Sequence, residues 1–312
     1  MRDERGLPAA LLGDGRPLLA LTGLSLILSG LFALFLSITR HFLPHDVEFL
    51  RMTPDDLCSI RECRIVHFMF HDRVSFGGVL IAIGTMYLWL AEFPLRRREA
   101  WAWWLFLVSG LVGFGSFLAY LGYGYLDTWH GVATLALLPC FAVGMARTHF
   151  RLRAPRGLSC LLHSGDDAPW SSRVGLGRAC LLATSIGMIG AGLTITTVGM
   201  TCVFVPQDLE YIGLDAANLQ LINPRLIPLI AHDRAGFGGG VFTSGVLLLG
   251  SVWCGRFSRS VWQALAFAGV VGFTTAIGIH PLIGYNDAVH LAPAVGGALL
   301  FAAGLVLTSP RA

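Results

Sequence analysis

The sequence predicts an all-α polytopic membrane protein, with eight transmembrane helices arranged as two tandem four-helix bundles. Three observations predict this fold class: an apolar composition, eight apolar stretches of membrane-spanning length, and an internal repeat. Of the 312 residues, 54% are hydrophobic and only 13% are charged, and the mean hydropathy is +0.67. Soluble globular proteins carry about a quarter charged residues, so this composition excludes an ordinary soluble enzyme, a disordered chain and a nucleic-acid binder.

Eight stretches are apolar and long enough to cross the hydrocarbon core of a bilayer, which is roughly 30 Å thick and takes about 20 residues of helix. They lie near 17–38, 74–95, 101–123, 128–146, 177–200, 236–254, 262–283 and 288–308. The first stretch is interpreted as an uncleaved span, because it has no cleavage site of small residues. An even number of spans places both termini on the same side of the membrane.

The distribution of arginine indicates the orientation of these spans. With the N-terminus inside, 15 of the 22 arginines lie in inner segments, and the chain has no lysine. The positive-inside rule therefore predicts cytoplasmic termini, and we expect a bacterial inner (plasma) membrane. Twelve of the 19 acidic residues and eight of the ten histidines lie on the outer side. Polar chemistry is thus predicted at the periplasmic face.

An internal repeat divides the chain into two units of four helices. Three motifs occur twice: P-x-D-x-E at 44–48 and 206–210, H-D-R at 71–73 and 232–234, and G-Y-x-D-x-x-H at 124–130 and 284–290. The predicted units are 1–150, with an outer loop at 39–72, and 176–312, with an outer loop at 201–235, joined by a cytoplasmic linker at 151–175. Because four helices return the chain to its starting side, the repeats are expected to be related by a pseudo-two-fold axis along the membrane normal.

Histidines recur at equivalent places in both repeats. We expect His71 and His232 to open the second helix of each repeat and His130 and His290 to open the fourth, giving one histidine pair per bundle. An aspartate three residues before each fourth-helix histidine shares its helix face and can accept a ring N–H, which leaves the other nitrogen for a metal. The predicted metal ligands are His71, His130, His232, His290, Asp127 and Asp287.

The charged neighbours of these histidines have two interpretations. Asp72 with Arg73, like Asp233 with Arg234, can form a salt-bridge cluster with Asp127 or Asp287 that holds the outer ends of the helices together, or can be part of a site. The first repeat is richer in donors, with H-x-x-x-H spacings at 41–45 and 67–71 that the second repeat lacks. We therefore expect the halves to have different roles.

The candidate catalytic residues are His71, Asp72 and Glu48, all from the richer first repeat. Further oxygen and nitrogen donors lie in the same outer segments, and these are Asp46, Asp127, His41, His45 and His67. Cys58 and Cys63 lie in the first outer loop. A structural disulfide is favoured over a redox-active pair, because their spacing is not the C-x-x-C of thioredoxin-like centres.

With these residues in place, the layout resembles the heme A synthases of bacterial and mitochondrial membranes. Members of that family have eight spans in two four-helix bundles, a long outer loop after the first helix of each bundle, and histidines at the outer ends of the second and fourth helices. The resemblance implies that His232 and His290 ligate a heme b. It also implies that His71 and His130 hold a substrate heme or a second cofactor.

By the same resemblance, Cys58 and Cys63 would be the loop cysteine pair of the family. Arg73 and Arg234 would lie near heme propionates and so belong to the cofactor-binding residues. What the resemblance implies most generally is bis-histidine cofactor binding at the outer face.

The leading interpretation is a membrane-integral, heme-binding oxidoreductase, since the helices of one bundle can supply axial ligands from opposite sides of a heme. The first alternative is a non-heme zinc, iron or manganese enzyme that acts on a lipid or another hydrophobic substrate, because carboxylates lie beside the histidines. The second alternative is a transporter or an accessory subunit without catalysis. Expected partners are the lipid bilayer and a membrane redox partner, with no nucleic acid.

Overall fold

The computed structural model describes residue 6 and residues 12–118, 125, 127–154 and 157–310, and within these ranges the chain is helical without β-strands. In chain order the helices are α1 (Arg16–Ile38), α2 (Pro44–Leu50), α3 (Pro54–Cys58), α4 (Arg64–Glu92), α5 (Ala100–Leu118), α6 (Thr128–His149), α7 (Arg173–Met200), α8 (Pro206–Ile212), α9 (Ala216–Ile222), α10 (Leu226–Cys254), α11 (Arg259–Ile283) and α12 (Ala288–Thr308). Short 3₁₀ turns at Arg61–Cys63 and Leu158–Leu162 complete the fold. The prediction of an all-α protein is confirmed.

Seven of the described helices are long and apolar enough to cross a membrane, namely α1, α4, α6, α7, α10, α11 and α12. The chain is therefore an integral membrane protein by the length and composition of its helices. The eighth predicted span corresponds to α5, whose fully described part, Ala100–Ser116, is apolar but shorter. Part of the predicted span at 101–123 lies outside the described residues.

Helices α4 and α10 start about ten residues earlier than the sequence predicts. The spans were expected to begin near 74 and 236, but the helices begin at Arg64 and Leu226. His71 and His232 therefore lie about two turns inside their helices, and the expectation that they open them is wrong. The charged residues of the H-D-R motifs lower the hydropathy of these segments, so the sequence does not mark them as membrane-spanning. In the structure, ion pairs between the two halves neutralise those charges, as described below.

The two halves of the chain interlock through their second and third long helices. Helix α4 packs on α1 of its own half but also on α11 of the other half, and α10 packs on α7 and on α5 in the same way. Helices α4 and α10 also contact each other. Glycines allow these crossings, because a Cβ at Gly78 would overlap Thr275 and a Cβ at Gly239 would overlap Ser116.

Short helices cover one end of the bundle, which we call the loop end. Helices α2, α3, α8 and α9 pack there in one apolar cluster with the first turns of α4 and α10. Each P-x-D-x-E motif forms a short helix that starts at its proline, and its aspartate is buried: Asp46 and Asp208 accept hydrogen bonds from the backbone N–H of Leu43 and Val205. Cys58 and Cys63 form a disulfide at the same end, so the disulfide bond expected from the sequence is present.

The linker predicted at 151–175 folds back onto the helices at the opposite end. Arg178 of α7 is buried and donates to the carbonyl of Asp166 and the hydroxyl of Ser164. Its guanidinium also lies over the ring of Trp170. A buried arginine with several partners fixes the linker to the start of the second half.

Candidate metal centres

Arg73 of the first H-D-R motif joins carboxylates from both halves of the chain. Its Nε donates to Asp233 Oδ2 at 2.7 Å, and its Nη1 donates to Asp46 Oδ2 at 2.8 Å. All three side chains are largely shielded from solvent. Tyr125 also donates its hydroxyl to Asp46. Burial, and then the neighbouring Asp46 carboxylate, raise the pKa of the Tyr125 phenol well above its usual range, so the hydroxyl stays protonated and donates.

Arg234 of the second half forms the equivalent arrangement, with the roles of the two halves exchanged. Its Nε lies 3.4 Å from Asp72 Oδ2, and its Nη1 lies 2.5 Å from Asp208 Oδ2. Burial alone would raise the pKa of the Asp208 carboxyl, but the charge and hydrogen bond of Arg234 outweigh it and hold that pKa below its usual range. Both H-D-R motifs are therefore ionised networks that tie the halves together. A salt-bridge cluster is present, but the arginines pair with Asp46, Asp72, Asp208 and Asp233 and not with the predicted Asp127 or Asp287.

Tyr285 connects the Arg234 network to two histidines of the second half. Its hydroxyl donates to Asp208 Oδ1 at 2.8 Å and contacts His290 Nδ1 at 3.2 Å. Its carbonyl accepts a hydrogen bond from His280 Nδ1 at 2.9 Å. Gly284, with φ of 78°, ends α11 in the left-handed conformation and turns the chain so that Tyr285 comes back beside His280.

Three histidines converge at the loop end between α4, α11 and α12. His71 Nε2 lies 2.9 Å from His280 Nε2, and a ring nitrogen of His290 lies within 4.8 Å of both. His71 and His280 are 4% and 3% exposed. We call this set of residues the three-histidine centre.

The hydrogen bonds of these rings place a proton on two of their nitrogens. A backbone carbonyl can only accept, so His280 Nδ1 carries the proton in its contact with Tyr285. Asp72 is ion-paired with Arg234, so it accepts from His71 Nδ1 at 3.0 Å. The two Nε2 atoms face each other at 2.9 Å. Such a contact requires either a proton on one of the two Nε2 atoms or a metal cation bound by both lone pairs.

A large apolar cavity lies directly beneath the three-histidine centre. Its volume is about 780 Å³, and it is bounded by α4, α7, α10, α11 and α12. The lining runs from His71 to Met86 on α4 and from His290 to Phe301 on α12. At 1.5 Å per residue, the cavity extends about 16 to 22 Å toward the middle of the bundle.

The wall between α7 and α12 is made of small residues. Gly187 and Gly190 of α7 and Gly296 of α12 line the cavity, and a Cβ at any of them would meet no atom within 4 Å. Nearer the opposite end the same helices are in contact, since Gly177 and Gly304 pack against the partner helix. Because Gly187, Gly190 and Gly296 are also exposed, the cavity opens sideways through a gap beside them.

A second cluster lies at the loop end of the first half and consists of Asp127, His130 and His232. His130 Nδ1 lies 3.0 Å from Asp127 Oδ2 and 3.3 Å from His232 Nε2. Burial alone would raise the pKa of Asp127, but hydrogen bonds and charge from His130 outweigh it and keep the pKa well below its usual range. Among the described residues, Phe76, Gly113 and Thr243 help to line a small space of about 50 Å³, which Asp127, His130 and His232 do not border.

The histidines pair across the halves, not within them. His71 lies with His290, and His232 lies with His130, so the expectation of one pair within each repeat is wrong. The reason is the interlocking of α4 with α11 and of α10 with α5, which carries each second helix to the other half. The predicted contact of Asp127 with the ring of His130 is present.

Other predicted site residues lie outside these clusters. Asp287 does not receive the ring N–H of His290; it caps α12 by accepting from the backbone N–H of His290 at 2.7 Å. Glu48 and His41 are exposed, and His67 is half-buried on α4; neither cluster contains them. The predicted catalytic role of Glu48 thus has no support in its position.

His280 of the three-histidine centre and its neighbour Tyr285 were not among the predicted site residues. His280 lies in an apolar span, and an ionisable residue within a span is itself a signal of function. Tyr285 belongs to the repeated G-Y-x-D-x-x-H motif, so the repeat marked it without indicating its role. The equivalent of His280 in the first half is Tyr120, which lies outside the described residues.

No protein-family model, no curated protein and no solved structure matches this chain. The resemblance to heme A synthases therefore rests on the sequence features given above.

Proposed function

We propose that this protein is a metal-dependent membrane enzyme that uses the three-histidine centre to act on a hydrophobic substrate. The observation that carries this proposal is the convergence of His71, His280 and His290 at the mouth of a large apolar cavity. A polar centre at the end of an apolar pocket is the usual arrangement of a small-molecule site.

The spacing of the ring nitrogens fits a bound metal ion. Zn–N bonds of about 2.0 to 2.1 Å in a tetrahedron place two ligand nitrogens about 3.3 Å apart. The nitrogens here lie between 2.9 Å and 4.8 Å from one another. Three protein ligands leave a fourth position open, which is typical of catalytic sites, and imidazole suits zinc, copper, iron and nickel. Such a metal supplies Lewis-acid activation of a substrate or a bound water.

Each imidazole is also held in the orientation that metal binding requires. Asp72 holds His71, the carbonyl of Tyr285 holds His280, and the hydroxyl of Tyr285 contacts His290. Such partners on the far nitrogen fix the tautomer and orient the ring of a ligating histidine. Asp72, which the sequence proposed as catalytic, acts in this proposal as a positioning residue.

The cavity indicates the class of substrate. Its volume of about 780 Å³ falls within the range of small-molecule pockets, and its lining is mostly apolar. The gap beside Gly187 and Gly190 faces the surface that a bilayer covers, because neighbouring Ile186 and Leu193 are exposed apolar residues. We propose that a lipid-like molecule enters from the membrane through this gap.

A bis-histidine heme, the leading prediction from the sequence, is supported less well by this geometry. A heme needs two nitrogens on opposite faces of one porphyrin, whereas His71 Nε2 and His280 Nε2 lie 2.9 Å apart. Arg73 and Arg234, which the resemblance placed near propionates, are each already paired with two carboxylates. Heme binding stays a prediction that the experiment below distinguishes.

We also propose the full topology that the sequence predicts. Helix α5 would be the eighth span, and the two halves would be related by a pseudo-two-fold axis along the membrane normal. The matching networks around Arg73 and Arg234 support the duplication. The arginine distribution supports cytoplasmic termini, a periplasmic loop end and a bacterial inner membrane.

The test is elemental analysis of the detergent-purified protein, with an absorption spectrum of the same sample. We expect His280→Ala to lose about one metal ion per chain relative to wild type. The matched control is His41→Ala, an exposed histidine at the same end, which should lose none. A Soret band that disappears in His71→Ala or His290→Ala would establish a heme and overturn the proposal, and so would equal metal content in wild type and His280→Ala.

A further inference from the structure

We propose that the second cluster is a separate metal site, in which Asp127, His130 and His232 bind a divalent first-row transition metal. The ligand set differs from the three-histidine centre, and the inference does not rest on the function proposed above. A metal ion bound at this second site would join the two halves, since Asp127 and His130 belong to the first half and His232 belongs to the second.

The donor atoms have the composition and spacing of a known kind of metal site. His130 Nδ1 lies 3.0 Å from Asp127 Oδ2 and 3.3 Å from His232 Nε2, and one ligand atom of each residue lies within 4.8 Å of the other two. Two imidazoles and one carboxylate are the ligand set of many iron and zinc sites. Asp127 and His232 are buried, at 5% and 2% exposed.

Partners of the ligands hold them in place. His232 Nδ1 contacts Asp233 Oδ1 at 3.0 Å, and the other oxygen of Asp233 is fixed by Arg73. Asp127 Oδ1 accepts from the backbone N–H of His130 at 3.0 Å. The other oxygen of Asp127, Oδ2, lies 3.0 Å from His130 Nδ1. A carboxylate behind a ligating histidine is the usual support of a metal ligand.

His45 of α2 adds a second observation that points to this site. Both of its ring nitrogens are buried, and neither makes a hydrogen bond of acceptable geometry with a described residue. Nε2 nevertheless lies 3.0 Å from Asp127 Oδ1. We assign His45 as a positioning residue that acts through Asp127, so that metal binding also holds α2 against the bundle.

The position of the cluster between the two halves indicates its role. Here a bound ion would connect α6 to α10, and binding to the folded state alone would stabilise the fold.

The test compares Asp127→Asn with Asp287→Asn, the same substitution at the equivalent position of the other half. Both aspartates cap a helix, and asparagine caps equally well, so both variants should fold. The protein is stripped with a chelator and reloaded with Zn²⁺, which is counted by equilibrium dialysis and elemental analysis. We expect two ions in wild type and in Asp287→Asn, and one in Asp127→Asn.

Two further variants separate this inference from the proposed function. His280→Ala should bind one ion, and Zn²⁺ should raise its Tm. The double variant with Asp127→Asn should bind none and show no rise. His45→Ala should keep the stoichiometry but lose about 10- to 100-fold in affinity for the Asp127 ion. Full Zn²⁺ content in Asp127→Asn overturns the inference, as does a wild-type protein that binds no ion or whose only ion is lost in His280→Ala.

Discussion

Removal of one hydroxyl, in Tyr285→Phe, tests whether the network around Arg234 supports a metal. This hydroxyl donates to Asp208 at 2.8 Å and contacts His290 Nδ1 at 3.2 Å. Loss of an outer partner of a metal ligand costs about 10- to 100-fold in metal affinity, which equals about 1.4 to 2.7 kcal/mol. Loss of a hydrogen bond to a carboxylate costs about 1.5 to 3 kcal/mol of stability.

Tyr125→Phe provides the matched control, because the Tyr125 hydroxyl donates to Asp46 in the same way. Both variants should lose similar stability, but only Tyr285→Phe should weaken the three-histidine centre. The assay is competition for Zn²⁺ against a chelator of known affinity, together with thermal unfolding in detergent. Equal Zn²⁺ affinity of the three-histidine centre in Tyr285→Phe and wild type, despite the expected loss of stability, would refute the assignment of Tyr285 as the support of His290.

Three further predictions concern the cavity and the buried ion pairs. Gly190→Leu should fold normally, because a Cβ at this position meets no atom within 4 Å, and it should weaken the binding of a spin-labelled fatty acid about tenfold. The control is Gly115→Leu, where a Cβ also meets no atom within 4 Å; Gly115 does not line the cavity, so fatty-acid binding should stay unchanged. Arg234→Leu leaves two buried carboxylates unpaired and should cost about 3 to 5 kcal/mol in chemical unfolding, whereas a loss below 1 kcal/mol would contradict the network. Because Arg234 lowers the pKa of Asp208 below 3.8, its stabilisation is complete above that pH and disappears as pH falls through the lowered value. The Tm advantage of wild type over Asp208→Asn should therefore shrink between about pH 5 and pH 2, and a constant difference would count against the pairing.

Much of the fold follows from local features of the sequence. Apolar stretches of about 20 residues predict the long helices, and the repeated motifs mark the residues that form the networks. The helix starts at Arg64 and Leu226 could not be predicted in this way, because charged residues within a span count against it. Their charges are neutralised by partners 160 and 162 residues away, and no local pattern reports such a distance.

The pairing of the histidines could not be predicted from the sequence, for a related reason. A repeat shows which residues are equivalent, but it does not show whether equivalent helices pack within a unit or across units. The crossing is decided where Gly78 meets Thr275 and Gly239 meets Ser116, contacts that depend on two pairs of helices at once. The position of His71 beside His280 follows from that crossing.

The two clusters are built on the same arrangement of side chains and differ in few residues. Both have a histidine and aspartate from one half, and an arginine, aspartate and tyrosine from the other. The second half adds His280, and the small residues of α7 and α12 leave a cavity beneath it. The ion at Asp127 would then hold the halves together while the three-histidine centre acts on a substrate.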